Sequence, residues 1–356
     1  MQGGLSMETS SRFGRDVEAG LKLAGVHWGL FPSIQTAWLL SSEDFFNREA
    51  LGINSLKLSA GYDVSGNDDV AITASRTSLS ATRFMNGSVG LVLNNIGNTG
   101  IQWETTHRLR VGLDLTEYNN ILAFSLNFFK SYTNNLLTLK SLPEITGEGY
   151  YWSNDGSLEN IGLDFGVRFK LLNRKNWKWE LGANATAYKN KITALPDGDY
   201  TTTIYGANVL TSVGRAAGVF YGYETDGVYA TQQEAEEAGL TLVSTTGEVT
   251  PFAAGDMKFV DHVQDGIINE KDMVVIGNPN PDVYGNLYSN LSYKRLSLNM
   301  NFNYSFGNDI YNYQRSQLES GSQFFNQTTA LNRRWIAEGH HTDIPKATFG
   351  DPMGNS

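Results

Sequence analysis

Residues 297–306 read Ser-Leu-Asn-Met-Asn-Phe-Asn-Tyr-Ser-Phe, in which apolar and small polar side chains alternate without interruption. Successive side chains of a β-strand point to opposite faces, so this pattern predicts a strand with one apolar wall and one hydrated, uncharged wall. Such a strand suits either the core of a soluble protein or the lipid-facing wall of a membrane barrel. The recurrence of the pattern and the lengths of the connections between its copies distinguish the two.

The same alternation recurs upstream, and the charged residues of these segments share one face. The apolar faces of five further predicted strands are Leu56, Leu58, Ala60, Tyr62 and Val64; Leu109, Val111, Leu113 and Leu115; Leu122, Phe124, Leu126 and Phe128; Leu163, Phe165, Val167 and Phe169; and Trp177, Trp179, Leu181, Ala183 and Ala185. Weaker patterns predict strands within residues 29–39 and 284–293. The alternation rule therefore predicts roughly eight strands, and the chain is expected to be mostly β.

The connections between these strands are of two kinds. The shorter links are residues 41–54, 116–120, 172–176 and 294–295, whereas residues 65–106, 133–161 and 189–282 and the tail after residue 306 are long. If the strands run up and down in order, every long connection lies at one end of the sheet and every short one at the other. This asymmetry is typical of outer-membrane barrels, which have short periplasmic turns and long extracellular loops.

Aromatic residues and one helix complete the pattern. Tyr132, Trp177 and Tyr188 are among the aromatic residues that cluster near predicted strand ends, where an interfacial girdle would lie. Residues 231–238 predict a short helix in the longest loop, with Thr231 and Glu234 as a capping box. This helix is expected to lie on the solvated surface. A soluble, extracellular glycan-binding β-sandwich or small closed barrel remains the alternative, since long loops and aromatic residues suit it too.

Composition excludes several classes of protein. The 356 residues carry a formal charge of −10 and no cysteine, so a basic nucleic-acid surface, a disulfide framework and thiolate chemistry are not expected. No run of 18 apolar residues occurs, which argues against a helical membrane span. The N-terminus lacks the basic and apolar segments of a signal peptide, so the chain is expected to be either cytoplasmic or incomplete.

Short motifs spread over nearly the whole chain resemble one family in content and order. They are Pro32-Ser-Ile-Gln-Thr-Ala-Trp38, Asp44-Phe45, Leu56-Lys-Leu-Ser-Ala-Gly-Tyr62, Gly66-Asn67, Trp103-Glu104-Thr105, Gly112-Leu113-Asp114, Glu159-Asn-Ile-Gly-Leu-Asp164, Gly222-Tyr223, Asp226-Gly227, Gly255-Asp256-Met-Lys258, Asp265-Gly266, Ile276-Gly-Asn-Pro-Asn-Pro281, Phe324-Phe-Asn326, Asn332-Arg333, Trp335 and Thr342-Asp-Ile-Pro345. This set resembles the barrel of the SusC/RagA class of TonB-dependent outer-membrane transporters.

The resemblance implies a specific architecture and activity. It implies an all-β fold, in which residues 1–356 form part of an antiparallel transmembrane β-barrel of 22 strands around a plugged lumen, with a long extracellular loop insertion at 189–283. It also implies TonB-dependent import of glycans, oligosaccharides or peptides across the outer membrane of a Gram-negative, Bacteroidetes-type bacterium. The implied partners are a SusD-like surface lipoprotein, TonB of the inner membrane and the lipid and lipopolysaccharide around the barrel. The family's plug domain, early strands and last strands have no counterpart in this sequence, so an interior or C-terminal part of the barrel is expected.

One segment resembles an EF-hand or dockerin calcium loop: Asp261-His-Val-Gln-Asp265-Gly266-Ile267-Ile-Asn269-Glu-Lys-Asp272. Oxygen ligands at the first, fifth, ninth and twelfth positions, a backbone carbonyl at the seventh and glycine at the sixth suit a hard cation. The candidate ligands are therefore Asp261, Asp265, Ile267, Asn269 and Asp272. Val263 offers no side-chain oxygen at the third position, and an Asp-Gly turn without metal remains the alternative.

Aromatic and amide side chains in two loops are candidates for substrate contact, because aromatic rings stack on sugars and amides bond to hydroxyls. They are Tyr150, Tyr151, Trp152 and Asn154, and Phe324, Phe325 and Asn326. The same residues could instead pack the loops together. A secreted glycoside hydrolase is a third hypothesis, but the carboxylate pairs Asp68/Asp69 and Glu234/Glu237 do not suggest a cleft. No nucleophile elbow, Walker loop or zincin motif occurs, so the chain is not expected to be an enzyme.

Overall fold

The computed structural model describes residues 1–83, 87–117, 119–142, 144–147, 149–196, 198–243 and 247–355. The strands in chain order are β1 (Gln2–Glu8), β2 (Leu21–Leu23), β3 (Val26–Leu39), β4 (Ile53–Asn67), β5 (Ser78–Arg83), β6 (Val89–Asn95), β7 (Glu104–Glu117), β8 (Leu122–Asn134), β9 (Leu137–Ser141), β10 (Tyr150–Asn154), β11 (Ser157–Asn173), β12 (Trp177–Ala194), β13 (Tyr200–Ile204), β14 (Ala207–Thr211), β15 (Val219–Tyr223), β16 (Thr225–Val228), β17 (Thr241–Val243), β18 (Val249–Pro251), β19 (Met257–Phe259), β20 (Ile267–Ile268), β21 (Met273–Gly277), β22 (Val283–Tyr293) and β23 (Leu296–Phe306). The α-helices are α1 (Arg48–Leu51), α2 (Gln232–Ala238) and α3 (Tyr313–Glu319), and 3-10 turns span Leu40–Ser42, Glu144–Thr146, Glu270–Asp272 and Thr329–Arg333.

A ten-stranded antiparallel sheet dominates the structure, in the order β1-β3-β4-β7-β8-β11-β12-β22-β23 with β2 paired to β3. Every strand predicted from the alternating pattern belongs to this sheet, so those predictions are confirmed. The alternation did not predict β1 and β2. β1 contains two consecutive glycines, and its place in the sheet comes from its pairing with β3.

The register brings the two kinds of face together across the strands. Leu58 is paired with Leu113, and Leu113 with Leu126, whereas Lys57 is paired with Asp114. Since paired residues share a face, the apolar residues form one continuous surface and the polar residues form the other. The predicted sorting of charged residues onto one face is confirmed for the predicted segments, whereas Lys130, Glu159, Lys189 and Lys191 lie beyond them on the apolar face.

The connections alternate in length as predicted. Only residues 174–176 separate β11 from β12, and only Lys294 and Arg295 separate β22 from β23. Lys294 adopts the left-handed conformation, with φ +53°, that a tight hairpin turn requires. In the link between β7 and β8, the Glu117 carboxylate accepts the backbone N–H groups of Asn119 and Ile121, while Tyr118 lies outside the described residues.

Contacts divide the chain into two compact units. The first is Met1–Thr202, Thr211–Ala217 and Asn280–Asn308, and the second is Thr203–Leu210, Gly218–Pro279 and Asp309–Ser356. The first unit contains the main sheet and the loops between its early strands. One loop cluster there has Val70, Ala74 and Ile101 at its centre, with Trp152 packed against it.

The second unit has its own hydrophobic core. Its buried residues are Tyr229, Ala235, Phe252, Phe259, Ile268 and Met353. Helix α2 begins after Thr231, whose hydroxyl accepts the Glu234 N–H at 3.2 Å, and ends at Gly239 in the left-handed conformation. The predicted cap is therefore confirmed. The predicted surface helix exposes Gln232, Gln233, Glu236, Glu237 and Ala238 and packs Ala235 into the core.

Candidate functional site

The polar face of the main sheet is concave and holds two adjacent depressions of about 590 and 510 Å³. The larger is lined by Arg108, Arg110, Asn127, Phe129, Ser131, Asn160, Asp164, Thr186, Tyr188 and Tyr284. Arg110 and Asn127 also border the smaller one. Both depressions therefore belong to one hydrated surface on β1, β3, β4, β7, β8, β11, β12 and β22.

Charges on this concave face are balanced between neighbouring strands. Lys57 Nζ lies 2.7 Å from Asp114 Oδ2, and Arg108 lies 3.5 Å from Asp63. The Thr186 hydroxyl donates to Asp164 at 2.8 Å. These contacts are half exposed, so each stabilises the sheet only weakly. Their combined effect is a wall that is strongly hydrated and has little net charge.

Asparagine amides continue the polar face towards the last strands. Asn184 Nδ2 donates to Asn286 Oδ1 at 3.0 Å, and Asn286 in turn donates to Asn301. Asn190 donates to Asn160 at 2.6 Å. The asparagines that alternate along residues 297–306 thus extend a network that crosses β11, β12, β22 and β23.

The opposite face exposes large apolar side chains in a continuous band. Leu163 is 47% exposed, Leu287 49% and Phe302 63%. A soluble protein rarely leaves so many neighbouring apolar residues uncovered, so this face indicates contact with lipid or another apolar surface. No helix within the described part of the chain is long and apolar enough to cross a membrane.

The second unit gathers several of the sequence motifs around one buried carboxylate. Asp256 is 1% exposed, accepts the Ala253 N–H at 2.9 Å and lies 3.1 Å from Lys346 Nζ. Asn355 Nδ2 donates to the same carboxylate at 2.9 Å. Gly255, with φ +82°, leaves room for the Trp335 ring, which an added Cβ would approach to 2.5 Å.

An ion pair fixes helix α2 beside this carboxylate. Lys258 donates to Glu234 and lies 5.4 Å above the Tyr229 ring. The hydrogen bond from Lys258 lowers the pKa of Glu234, and the backbone N–H of Ala230 adds to the effect. Because the pKa is lowered in the folded state, this pair stabilises the unit at neutral pH. Its contribution is lost only as the pH falls through that lowered pKa.

The candidate calcium loop is closed by its own backbone. Asp261 accepts the Gln264 N–H at 2.6 Å and the Gly266 N–H at 2.8 Å, and these bonds lower its pKa. Asp272 accepts the N–H groups of Val263 at 3.2 Å and Asn269 at 3.0 Å. The remaining candidates, Asp265, Ile267 and Asn269, lie in the same loop, and Asp265 accepts the Ile267 N–H at 3.0 Å.

The described residues contain no cluster of three or more histidine, aspartate or glutamate side chains that could hold a metal ion. In the candidate calcium loop, the carboxylate oxygens of Asp261 and Asp272 accept backbone N–H groups of the turn. Calcium binding by this loop stays a prediction from the sequence.

Replacing Asp272 by alanine is expected to destabilise this loop whether or not calcium is present. Asp272 is fully buried, and its loss leaves two backbone N–H groups without an acceptor, which costs about 2–6 kcal/mol at roughly 1–3 kcal/mol per group. Thermal unfolding of the purified protein in EDTA measures the effect, and the neighbouring exposed Glu270→Ala variant is the control. If EDTA lowers the melting temperature of the wild type, and the Asp272→Ala variant then melts at the same temperature as the wild type in EDTA, the hydrogen bonds of Asp272 do not stabilise the loop without metal.

The predicted substrate residues lie in the two different units. In the first, Tyr150 is 46% exposed at the start of β10, and Tyr151 forms a bridge to Ile96. Trp152 packs on the loop cluster, and Asn154 uses its amide to bind the backbone of Gln102 and Asn135. Tyr150 is therefore the member of this set that offers an open ring.

In the second unit, the three predicted residues are all exposed. Phe324 is 91% exposed and Phe325 63%. The Phe324 ring stacks on Phe349 at a centroid distance of 4.8 Å, and Asn326 follows in the same exposed segment. An apolar stack in water is suited to a sugar ring or to an apolar side chain of a ligand.

Sequence reasoning missed the ion pair between Asp256 and Lys346. The motifs Gly255-Asp256-Met-Lys258, Trp335 and Thr342-Asp-Ile-Pro345 were identified separately, and nothing in their spacing shows that they meet. In the structure, Trp335 Nε1 donates to the Ala230 carbonyl at 3.0 Å and Lys346 Nζ to the Ala254 carbonyl at 3.1 Å. These residues hold the tail against the chain between β16 and β19.

Taken together, a long antiparallel sheet with an exposed apolar band, a concave hydrated face and alternating short and long connections defines the wall of a membrane β-barrel. The chain has the fold of the matching part of the RagAB peptide transporter structure, with a TM-score of 0.72 and 21% identity over 97% of this chain and 36% of that one. No protein-family model matches.

Curated relatives agree with this fold. The chain is 32% identical over 328 residues to TonB-dependent receptor P26 of Formosa agariphila, which covers 89% of this chain and 32% of that receptor. It is 26% identical over 313 residues to TonB-dependent receptor SusC of Bacteroides thetaiotaomicron, covering 85% of this chain and 29% of SusC. The chain thus spans about a third of the length of the curated relatives that it matches. Over about nine tenths of its length the chain is similar to TonB-dependent receptors of the SusC/RagA type, and it corresponds to part of the barrel. The names of these relatives describe receptors and a peptide transporter rather than enzymes.

Proposed function

We propose that this chain forms part of the wall of an outer-membrane importer that takes up oligosaccharides or peptides in a TonB-dependent manner. The observation that carries the proposal is the separation of two continuous faces on one sheet, apolar and exposed on one side and polar and concave on the other. Its similarity to TonB-dependent receptors and to the fold of the RagAB peptide transporter supports the same function. The proposed location is the outer membrane of a Gram-negative, Bacteroidetes-type bacterium.

The proposed mechanism is passive binding followed by gated passage, without covalent chemistry. The balanced charges and amides of the concave face keep that surface hydrated, as the inner wall of a 22-stranded barrel filled by a plug requires. A SusD-like surface lipoprotein is the proposed partner on the side of the long connections. TonB is proposed to act through the receptor's other parts, which supply the energy for release of the ligand.

Exposed aromatic rings are the proposed points of first contact with the ligand. Tyr150 in the first unit, and Phe324 and Phe325 in the second, offer open rings, whereas the amide of Asn154 is occupied by backbone groups. Stacking of an aromatic ring on a sugar or on an apolar side chain is tolerant of ligand sequence. It therefore fits a receptor that must admit a class of oligomers.

Uptake by living cells tests this function. A strain that lacks the receptor is expected to lose energy-dependent uptake of its labelled oligosaccharide or peptide, and the wild-type gene is expected to restore it. Replacing Phe324 and Phe325 together by alanine is expected to weaken binding of that ligand to the purified receptor, with Ile310→Ala as the control because this side chain is 82% exposed in the same unit. Unchanged uptake in the deletion strain on every oligomer tested would overturn the proposal.

The soluble alternative makes an opposite prediction. A β-sandwich or small closed barrel would stay monodisperse in buffer without detergent and unfold in one cooperative transition. The exposed band that includes Leu163 and Leu287 instead favours aggregation in water and solubility in detergent. Size-exclusion chromatography with and without detergent distinguishes the two.

A further inference from the structure

Three lysines interrupt the apolar face at the end of the sheet where the long connections lie. Lys130 ends the row formed by Leu122, Phe124, Leu126 and Phe128, and Lys189 and Lys191 end the row that begins at Trp177. In the register, both Lys130 and Lys189 are paired with Ile161 of the strand between them. The three ammonium groups therefore project from the same face around Ile161, on strands about 10 Å apart.

Their height on the sheet coincides with the edge of a lipid bilayer. The outward side chains of β12 from Trp177 to Ala187 are all apolar, which is a stretch of about 33 Å along the strand. At a strand tilt of about 40° this stretch spans about 25 Å along the membrane normal, the height of the apolar band of an outer-membrane barrel. Lys189 is the next outward residue, so it lies where lipid head groups begin.

The charges at this edge are largely uncompensated. Lys189 and Lys191 are exposed, and neither forms an ion pair with any described residue. Lys130 pairs with Glu159 at 2.8 Å, and Glu159 is also the register partner of Lys191. Three cations against one carboxylate leave a net positive patch beside an apolar surface, which is complementary to a lipid with an anionic head group and apolar chains.

We propose that Lys130, Lys189 and Lys191 bind the phosphate groups of a phosphorylated glycolipid of the outer leaflet. The acyl chains would pack along the apolar band below Ile161, and the phosphates would lie between the ammonium groups. This inference rests on the proposed placement of the sheet in the outer membrane, but it does not depend on which ligand is imported. Glu159 weakens phosphate binding at this site, because it holds Lys130 in an ion pair.

The test compares two double variants of the full receptor, purified in detergent. Lys189→Gln with Lys191→Gln is expected to weaken binding of added bisphosphorylated lipid A about thirtyfold, the factor that corresponds to about 1 kcal/mol for each of the two lysines. Lys22→Gln with Lys271→Gln removes the same charge from two other exposed positions and is expected to leave binding unchanged. Glu159→Gln releases Lys130 and is expected to strengthen binding. Native mass spectrometry measures the lipid bound to each protein.

Two further probes identify the source of the phosphate. Lipid A whose phosphates have been removed, and inorganic phosphate alone, are both expected to bind at least tenfold more weakly than the intact lipid. Equal binding by the dephosphorylated lipid, or equal loss in both double variants, would overturn the proposal. An uptake defect in the deletion strain is measured separately, so failure of the lipid site and failure of the import function are distinguishable. The heat-dependent mobility of each variant in a gel shows that its barrel is folded.

Discussion

Asp256→Ala is expected to destabilise the second unit by about 3–5 kcal/mol, the usual cost of removing one partner from a buried ion pair. The Asp256 side chain is 1% exposed and accepts from three directions: the Ala253 N–H, the Asn355 amide and the Lys346 ammonium. Alanine leaves the charge of Lys346 beside a buried cavity and two donors without an acceptor. Because Asn355 and Lys346 both belong to the tail, the expected result is detachment of the tail from the core of this unit.

Limited proteolysis and hydrogen exchange of the purified receptor measure this effect residue by residue. Amides near Gly255 and Lys346, which are joined by a 2.8 Å backbone hydrogen bond, are expected to lose protection, while those of the main sheet keep theirs. Asp226→Ala is the control, since it removes the same charge from an exposed position in the same unit. Equal protection of the tail in wild-type and Asp256→Ala protein would show that the ion pair does not hold it.

A reciprocal variant separates the charge from the packing. Lys346→Met keeps the apolar stem and removes the ammonium, so Asp256 becomes the uncompensated partner. If the two residues stabilise the unit through their ion pair, the double variant is expected to lose less unfolding free energy than the two single variants lose together. Strict additivity would assign the effect of Asp256→Ala to the Ala253 and Asn355 hydrogen bonds.

The main sheet could be predicted from the sequence because its information is local. The strands β7, β8, β11, β12, β22 and β23 are each 11 to 18 residues long. Within β8, Leu122, Phe124 and Leu126 are enough to show which face is apolar. The period of two is imposed by contact with two different environments over the whole strand. β1 escaped prediction because Gly3 and Gly4 contribute no side chains to the pattern.

The second unit could not be predicted in the same way because its information is distant. Its strands have two to five residues, too few to show a period. Its core joins Tyr229 to Met353, and its central carboxylate joins Asp256 to Asn355. The resemblance to a family identified the motifs, but only the structure shows that they pack against one another.

The candidate site residues also differ in how far their role could be predicted from the sequence. Tyr150, Phe324 and Phe325 are exposed, as contact with a ligand requires, whereas the amide of Asn154 serves the backbone. Composition alone cannot distinguish an amide that binds a ligand from one that binds a neighbouring loop. The lysines at the edge of the apolar band were not singled out from the sequence, although their signal was present. They are the first charged residues after an uninterrupted apolar row on the same face.

Leu126→Arg is expected to destabilise the folded barrel in the outer membrane by about 2–4 kcal/mol, the cost of an arginine near the middle of the lipid-facing band. Leu126 is paired with Leu113 and Phe165 on the apolar face, two outward residues below Lys130. An arginine there has no neighbouring carboxylate on its face, and the head groups lie about 10 Å above it at a tilt of about 40°. The amount of folded receptor in the outer-membrane fraction, measured by its heat-dependent mobility in a gel, is expected to fall sharply.

The adjacent position provides a matched control because it lies on the opposite face of the same strand. Asn127 lines both depressions of the concave surface, so Asn127→Arg adds the same side chain to a hydrated wall and is expected to leave assembly nearly unchanged. If both faces were buried in a soluble core, the two arginines would be equally harmful. If the apolar face were simply exposed to water, neither would matter. A large loss for Leu126→Arg together with normal assembly of Asn127→Arg is the result that a lipid-facing wall predicts, because the cost then depends on which side of the strand carries the charge. A soluble core with one apolar face would show the same asymmetry, and the detergent requirement of the wild-type protein separates it from a lipid-facing wall.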